Sequence, residues 1–292
     1  MVQQLANGVF AGSIYALFAI GFTLVFGILR HLNLAHAAIF TAGAFAGIEL
    51  AVRFDLPVWA MFPAVAAIGA VLGVVLERTA FRPLSGRDDE HFAGLISSIA
   101  FGGVLIAVLH ARYGTEPKSF PQEYFPNRLY EIAGVRVTLT QIVTLALALA
   151  LMLGLAWLVS SSPMGRAMRA VAENPGAARV LGVNVGLVTA GTYALSSGLG
   201  AVAGALLALN LGQAGRGLGA SIELIGFAVI ILGGLGSLWG AMAAGLVLGL
   251  AEALTVHWLD STWKGMVAFA VLFAVLVLRP RGLFGHVKVR EV

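Results

Sequence analysis

Nine stretches of this chain are apolar over most of their length, at about 5–29, 34–52, 57–77, 93–111, 139–159, 186–210, 221–236, 238–257 and 264–278. A helical crossing of a bilayer needs about 20 consecutive apolar residues. Hydrocarbon offers no partner for a free backbone N–H or C=O, so a chain with this pattern folds into helices that satisfy themselves. The expected fold is an all-α, polytopic membrane bundle of eight or nine transmembrane helices, one domain over 1–292. The second stretch contains His36 and Glu49, and the seventh is short. Gly233, Gly234 and Gly236 are placed to break a helix between the seventh and eighth stretches. Eight full spans plus a re-entrant piece fit the sequence nearly as well as nine.

Composition agrees. The chain is 59% hydrophobic and 11% charged, where a soluble domain carries about 25% charged residues. It has no cysteine, which excludes disulfides, thiolate nucleophiles and cysteine metal sites. The net charge of +4 is small, and charge sorting between loops explains it better than nucleic acid binding. No basic region precedes the first apolar run, so that run is expected to remain as a span and not to be cleaved as a signal peptide.

Residues 160–184 are too polar for lipid and too rich in helix signals for a plain linker. Ser162 can cap a helix that opens on Pro163. Met164, Met168 and Val171 recur at helical spacing, with Arg166 and Arg169 on other faces. Asn174 and Pro175 start a second short helix, and Gly182 can end it with a left-handed cap. A helix-break-helix of this kind suits docking to a soluble partner.

Cytoplasmic loops carry an excess of lysine and arginine. With 160–184 in the cytoplasm, the loops on that side hold eleven of the eighteen basic residues: Arg30, Arg78, Arg82, Arg87, Arg166, Arg169, Arg179, Arg279, Arg281, Lys288 and Arg290. The carboxy-terminus then lies inside and, with nine crossings, the amino-terminus outside. The segment 112–138 becomes an external loop with Pro117, Pro121 and Pro126, followed by a small hairpin turning at Ala133-Gly134.

Glycines four apart, such as Gly8/Gly12, Gly43/Gly47 and Gly245/Gly249, suit close helix packing. Polar residues at membrane depth are candidates for function. Asn33 and His36 share a helix face and either meet a polar solute or brace a helix start. Ser97, Ser98, Ser196 and Ser197 suit either a path for an uncharged or zwitterionic solute or internal hydrogen bonds. Glu49 is within reach of Arg53; for the mid-span Glu252, His257 is a possible partner. Asn210, Gln213 and Arg216 sit in a glycine-rich turn that reads as a gate loop or an ordinary connector. No phosphate-binding loop and no His-Glu-x-x-His pair occurs, so ATP energy would have to enter through another subunit. No nucleophile and base are paired as an intramembrane enzyme needs. A self-contained secondary transporter or channel is the alternative, but mid-span acids are limited to Glu252 and Glu223.

Four segments, in order, resemble the H-type permease subunits of branched-chain amino acid ATP-binding-cassette importers. They are Leu32-Asn-Leu-Ala-His36 leading to Gly43-Ala-Phe, Ala172-Glu-Asn-Pro-Gly-Ala-Ala178 leading to Gly182-Val-Asn184, Gly233-Gly-Leu-Gly-Ser-Leu-Trp-Gly240, and Arg279-Pro-Arg-Gly-Leu-Phe-Gly285. Ala37 stands where relatives often have glycine. The resemblance implies a permease domain that carries no cofactor and has no ATPase site of its own. Its partners would be a second permease (forming a heterodimer), two cytoplasmic ATPases and a periplasmic solute-binding protein, in the bacterial inner membrane. Residues 163–182 would be the ATPase-coupling element, with Arg166, Arg169, Glu173, Asn174, Pro175, Ala178 and Gly182 as its contact residues. The expected translocation path is Asn33, His36, Ser97, Ser98, Ser196 and Ser197. Urea, short amides and aromatic acids are cargoes of the same broad family.

Overall fold

The computed structural model describes residues 1–292 apart from 87–88, 115, 122, 126–127, 133, 216, 280–281 and 285–292. Arg87, Pro126, Ala133, Arg216, Arg281, Lys288, Arg290 and the carboxy-terminal end thus lie outside the described residues.

The helices are α1 (Val2–Leu29), α2 (His36–Phe54), α3 (Val58–Leu76), α4 (Glu90–Tyr113), α5 (Leu139–Ser161), α6 (Pro163–Glu173), α7 (Pro175–Val180), α8 (Val185–Leu211), α9 (Leu218–Gly233), α10 (Leu238–Trp258) and α11 (Lys264–Leu278). Among the described residues, seven spans are long and apolar enough to cross a membrane, and α9 and α11 are shorter apolar helices. Local chemistry sets many of the ends. Thr138 and Gln141 form a reciprocal cap on α5, the Asn184 side chain caps α8, and Ser237 caps α10. As the glycine cluster predicts, the chain breaks between α9 and α10, with Gly234 and Gly236 at positive φ where other residues are strained.

Glycine decides the packing of the inner helices. A Cβ on Gly12 would stand 2.8 Å from the Gly245 carbonyl oxygen, and one on Gly8 2.9 Å from that of Gly249. The α1 and α10 backbones therefore touch. Gly43 and Gly204 do the same where α2 crosses α8, and Gly69 where α3 crosses α8. In the most apolar stretch of α1, 72% is buried, against 22% in α4. So α1, α2, α8 and α10 form the interior, and α3, α4 and α5 lie outside it.

The bundle has two distinguishable ends. At one, β1 (Lys118–Ser119) pairs with β4 (Gln213–Ala214), and the hairpin β2 (Leu129–Ile132) and β3 (Val135–Thr138) runs in the register Leu129↔Thr138. Gln3 donates to the Arg136 carbonyl at 2.8 Å and accepts from its N–H at 2.8 Å, which puts the start of α1 there. At the other end, His31 lies 3.4 Å from Glu90, Gly27 meets Gly236, and Gly282 meets Gly234.

Two helices start inside the bundle. The His36 ring, at the head of α2, lies against Gly200, past the middle of α8. Gly219, in the first turn of α9, faces Thr41 and the Ala37 carbonyl. At 16 residues and 1.5 Å per residue, α9 is about 24 Å long, less than the ~30 Å hydrocarbon thickness.

Candidate functional site

The helix-break-helix forms as its cap residues dictate. The Ser162 hydroxyl accepts from the Gly165 N–H at 2.9 Å, and the Asn174 side-chain oxygen accepts from the Ala177 N–H at 3.0 Å. Gly182 ends the element at φ 86°. Met168 and Val171 are buried beneath α6, and Ala178 beneath α7. Gly165 lets α6 lie on the carbonyls of Leu158 and Val159 at the end of α5. The Arg169 guanidinium donates to the Val159 carbonyl and, at 3.1 Å, to that of Ser160, so it caps the α5 C-terminus. Arg166, Glu173, Asn174 and Pro175 are exposed.

Sequence reading missed the two most prominent side chains of this element. Val180 is 88% exposed and Leu181 82%, at the tip between Arg179 and Gly182. Two apolar residues directly before a glycine cap were the available signal. Such a pair cannot tuck under a helix this short.

A second feature lies where α2 and α9 start. A cleft of about 380 Å³ opens between α2, α4 and α9, within the ~300–1,000 Å³ typical of small-molecule sites. Ala37, Ala38 and Thr41 form its α2 wall. Ile99, Gly102 and Gly103 form the α4 wall, and Gly219, Ala220 and Glu223 the α9 wall. Behind it runs a closed seam that joins Glu223 to Asn33, His36, Phe18, Phe22 and Phe227, with no room for a water molecule.

Asn33 and His36 are both buried in that seam. The Asn33 side-chain oxygen accepts from the Ala35 N–H at 3.1 Å, while its Nδ2 has no partner among the described residues. His36 Nε2 lies 3.3 Å from the Phe18 carbonyl oxygen. A carbonyl only accepts, so Nε2 carries the proton, and Nδ1 is left unpartnered. Phe18 and Phe22 hold the ring at centroid distances of 4.8 and 6.0 Å.

The serines stand elsewhere. The Ser98 hydroxyl donates to the Leu95 carbonyl at 2.7 Å and accepts from the Leu34 N–H at 3.1 Å, so it pins the 30–35 segment to α4. Ser197 is buried against Gly73 of α3, and Ser196 is buried where α8 passes Gly21 of α1. Ser97 is half-buried. None of the four lines the cleft. Glu252 also differs from its sequence reading. Its partner is Tyr15, whose hydroxyl donates at 2.8 Å across the α1–α10 seam, and His257 instead packs on Trp258. Glu49 pairs with Arg53 at 2.9 Å, as its spacing predicts, and also with Arg112 at 3.4 Å.

The bundle and its projecting element agree with one protein family. The profile of the branched-chain amino acid transport system permease component matches residues 4–276. This chain belongs to that family. Among its relatives, the high-affinity branched-chain amino acid permease BraD of Pseudomonas aeruginosa is 34% identical, over 100% of this chain and 98% of the relative. LivH of Escherichia coli is 33% identical, over 100% and 97%. The ribose import permease RbsC of Haemophilus influenzae is 25% identical, over 95% and 84%. Of solved structures, PsaBC from Streptococcus pneumoniae in complex with Fab shares the fold, with a TM-score of 0.53 at 13% identity over 96% of this chain and 92% of that one. As a permease component, the chain is a multi-pass membrane protein of an ATP-binding-cassette importer.

Proposed function

We propose that this permease carries branched-chain amino acids, or closely related small polar solutes, by alternating access. It pairs with a second, related permease in the bacterial inner membrane, and two cytoplasmic ATPases supply the energy. A periplasmic binding protein delivers solute to the end that holds the 112–138 loop. Residues 160–184 lie in the cytoplasm and enter a groove on an ATPase. Solute passes by the α2–α4–α9 cleft, with Asn33 and His36 on its inner side. Ser97, Ser98, Ser196 and Ser197 belong to walls that shift as the path opens.

The observation that carries this reading is a full-length likeness to BraD and LivH combined with a braced, apolar-tipped α6–α7 element. Gly165 and Arg169 fix α6 to the end of α5. A push on Val180 and Leu181 is therefore passed to α5 and α8 as a rigid displacement. ATPase closure then shifts the balance between outward- and inward-facing states, which requires that the ATPases bind the two states differently. The RbsC relative indicates that related chains serve different cargoes, so the binding protein does most of the choosing.

The test is ATP-dependent leucine uptake by the complete assembly in proteoliposomes. Replacing both Val180 and Leu181 by Asp desolvates two charges in an apolar contact and is expected to lower uptake at least ~10-fold, with normal amounts of the chain in the membrane. Unchanged uptake in that variant, or ion-driven uptake by this chain alone, would overturn the reading.

A further inference from the structure

We infer that Glu223 receives the ammonium group of the amino acid as it passes through the cleft, and so selects a zwitterion over a neutral solute. This rests on the importer function proposed above.

Among the described residues, α2, α9 and α10 carry one acid each, Glu49, Glu223 and Glu252, and two of the three have a visible partner. Glu49 is held by two arginines. Glu252 takes the Tyr15 hydroxyl inside the α1–α10 seam. Glu223 is half-buried in the cleft wall, and among the described residues no cation or hydrogen-bond donor meets its carboxylate. An acid in a span is costly and is kept where it pairs with something.

What the cleft leaves open identifies that partner. Among the described residues, Glu223 is its one charged lining residue, and the rest of the wall is alanine, glycine, leucine, isoleucine and one threonine. Thr41 is already committed, since its hydroxyl donates to the Ala37 carbonyl at 2.9 Å. Ile99 and Ile106 on α4 give the same cleft an apolar wall. A small solute that is positive at one end and branched and apolar at the other matches both. A sugar or a neutral amide leaves the carboxylate unpaired and gains nothing from the isoleucines.

The position is also suited to transient contact. Glu223 lies on both the open cleft and the closed seam behind it. A solute held there sits at the boundary between the two spaces, next to the buried, unpartnered Nδ2 of Asn33.

The experiment uses the full assembly in proteoliposomes and reads radiolabelled leucine uptake and binding-protein-stimulated ATPase activity together. Glu223→Gln keeps shape and removes charge. It is expected to lower uptake at least ~10-fold, the loss typical of one charge-assisted contact, with the ATPase activity retained. Glu223→Asp is expected to keep much of the uptake. Wild-type uptake in the Gln variant overturns the inference.

If the Gln variant does not assemble, a pair at Gly103 reads the same charge. A Cβ at Gly103 meets nothing within 4 Å, so both Gly103→Lys and Gly103→Met fit. The lysine supplies a competing cation to Glu223 and is expected to block uptake, while the equally long methionine is tolerated. Equal behaviour of the two overturns the inference. If the wild-type assembly itself shows no ATP-driven leucine uptake, the proposed function is what fails. An active wild type with a fully active Glu223→Gln variant removes only the role of Glu223.

Discussion

Two glycine-rich seams in this molecule look alike in sequence and end up opposite in structure. Between α1 and α10, Gly8, Gly12, Gly245 and Gly249 bring backbone onto backbone, and an added Cβ on each would stand only 2.4–2.9 Å from the facing helix. Between α4 and its neighbours, a Cβ on Gly103 would meet nothing within 4 Å, and that on Gly102 only ordinary contacts with Ala35 and Ala38 at 3.4–3.8 Å. In the first seam the absent side chain is replaced by another helix. In the second it is replaced by room. A small residue in a membrane helix permits close approach but does not require it. The outcome depends on where the partner helix runs, and α9 starts too deep and is too short to close over α4.

The sharpest break of this comparison is to put the same bulk in both seams. Gly12→Leu pushes a side chain into Gly245 O and Leu246 Cα, and backbone cannot turn aside as a side chain can. The expected cost is at least ~3 kcal/mol, the upper end for overpacked sites, seen as a large drop in melting temperature or loss of monodisperse protein. Gly103→Ala is expected to change stability by less than ~0.5 kcal/mol. Equal effects at the two positions would mean that the α1–α10 contact is looser than its geometry.

A smaller effect sharpens the chemistry of the α1–α10 seam. Tyr15 and Glu252 are its polar pair, with the carboxylate buried and the phenol donating. Tyr15→Phe leaves that carboxylate without its donor and is expected to cost about 1–3 kcal/mol by thermal unfolding. Adding Glu252→Leu to that variant removes the orphaned group and should recover part of the loss. If the double variant is less stable than Tyr15→Phe alone, Glu252 has another partner that matters more.

How much of this was legible beforehand follows from the range of each interaction. The caps of α6 and α7 were readable from Ser162, Asn174 and Gly182 because capping is settled within a few residues. The spans were readable because each is a continuous apolar run. Tyr15 and Glu252 stand 237 positions apart, and no local pattern joins them; the nearby His257 was the residue that spacing could suggest. The two-residue strands β1 and β4 are likewise too short to announce a pairing between distant loops. Asn33 and His36 were identifiable as polar residues at membrane depth, and the structure sets them behind the cleft wall. The cleft itself depends on how three helices from separate parts of the chain come together. For that reason Glu223 read as one of two isolated acids and nothing more. Ser196 and Ser197 failed to reach the cleft because α8 turns that face onto α1 and α3.

The least of these effects concerns the end of the bundle at His31. There His31 stacks on Phe81 at 5.2 Å, with Nδ1 3.2 Å from the Tyr193 hydroxyl and Nε2 3.4 Å from Glu90. The ring of His91 lies 5.7 Å away. Burial pushes the His31 pKa below its ordinary 6.5, with Glu90 pulling it up and His91 adding to the decrease. The folded protein therefore binds this proton less readily than the unfolded chain. The stability it contributes is present above about pH 6.5 and is lost as pH falls below that value toward the lowered one. Melting temperature is thus expected to decline through this window, and less steeply in His31→Gln, which keeps a polar side chain without the titration. The same segment carries Leu34 into the cleft wall, held by Ser98, so loosening it should disturb the open seam before the closed one. A pH slope identical in wild type and His31→Gln would assign the titration to another group and leave the contrast between the seams to packing alone.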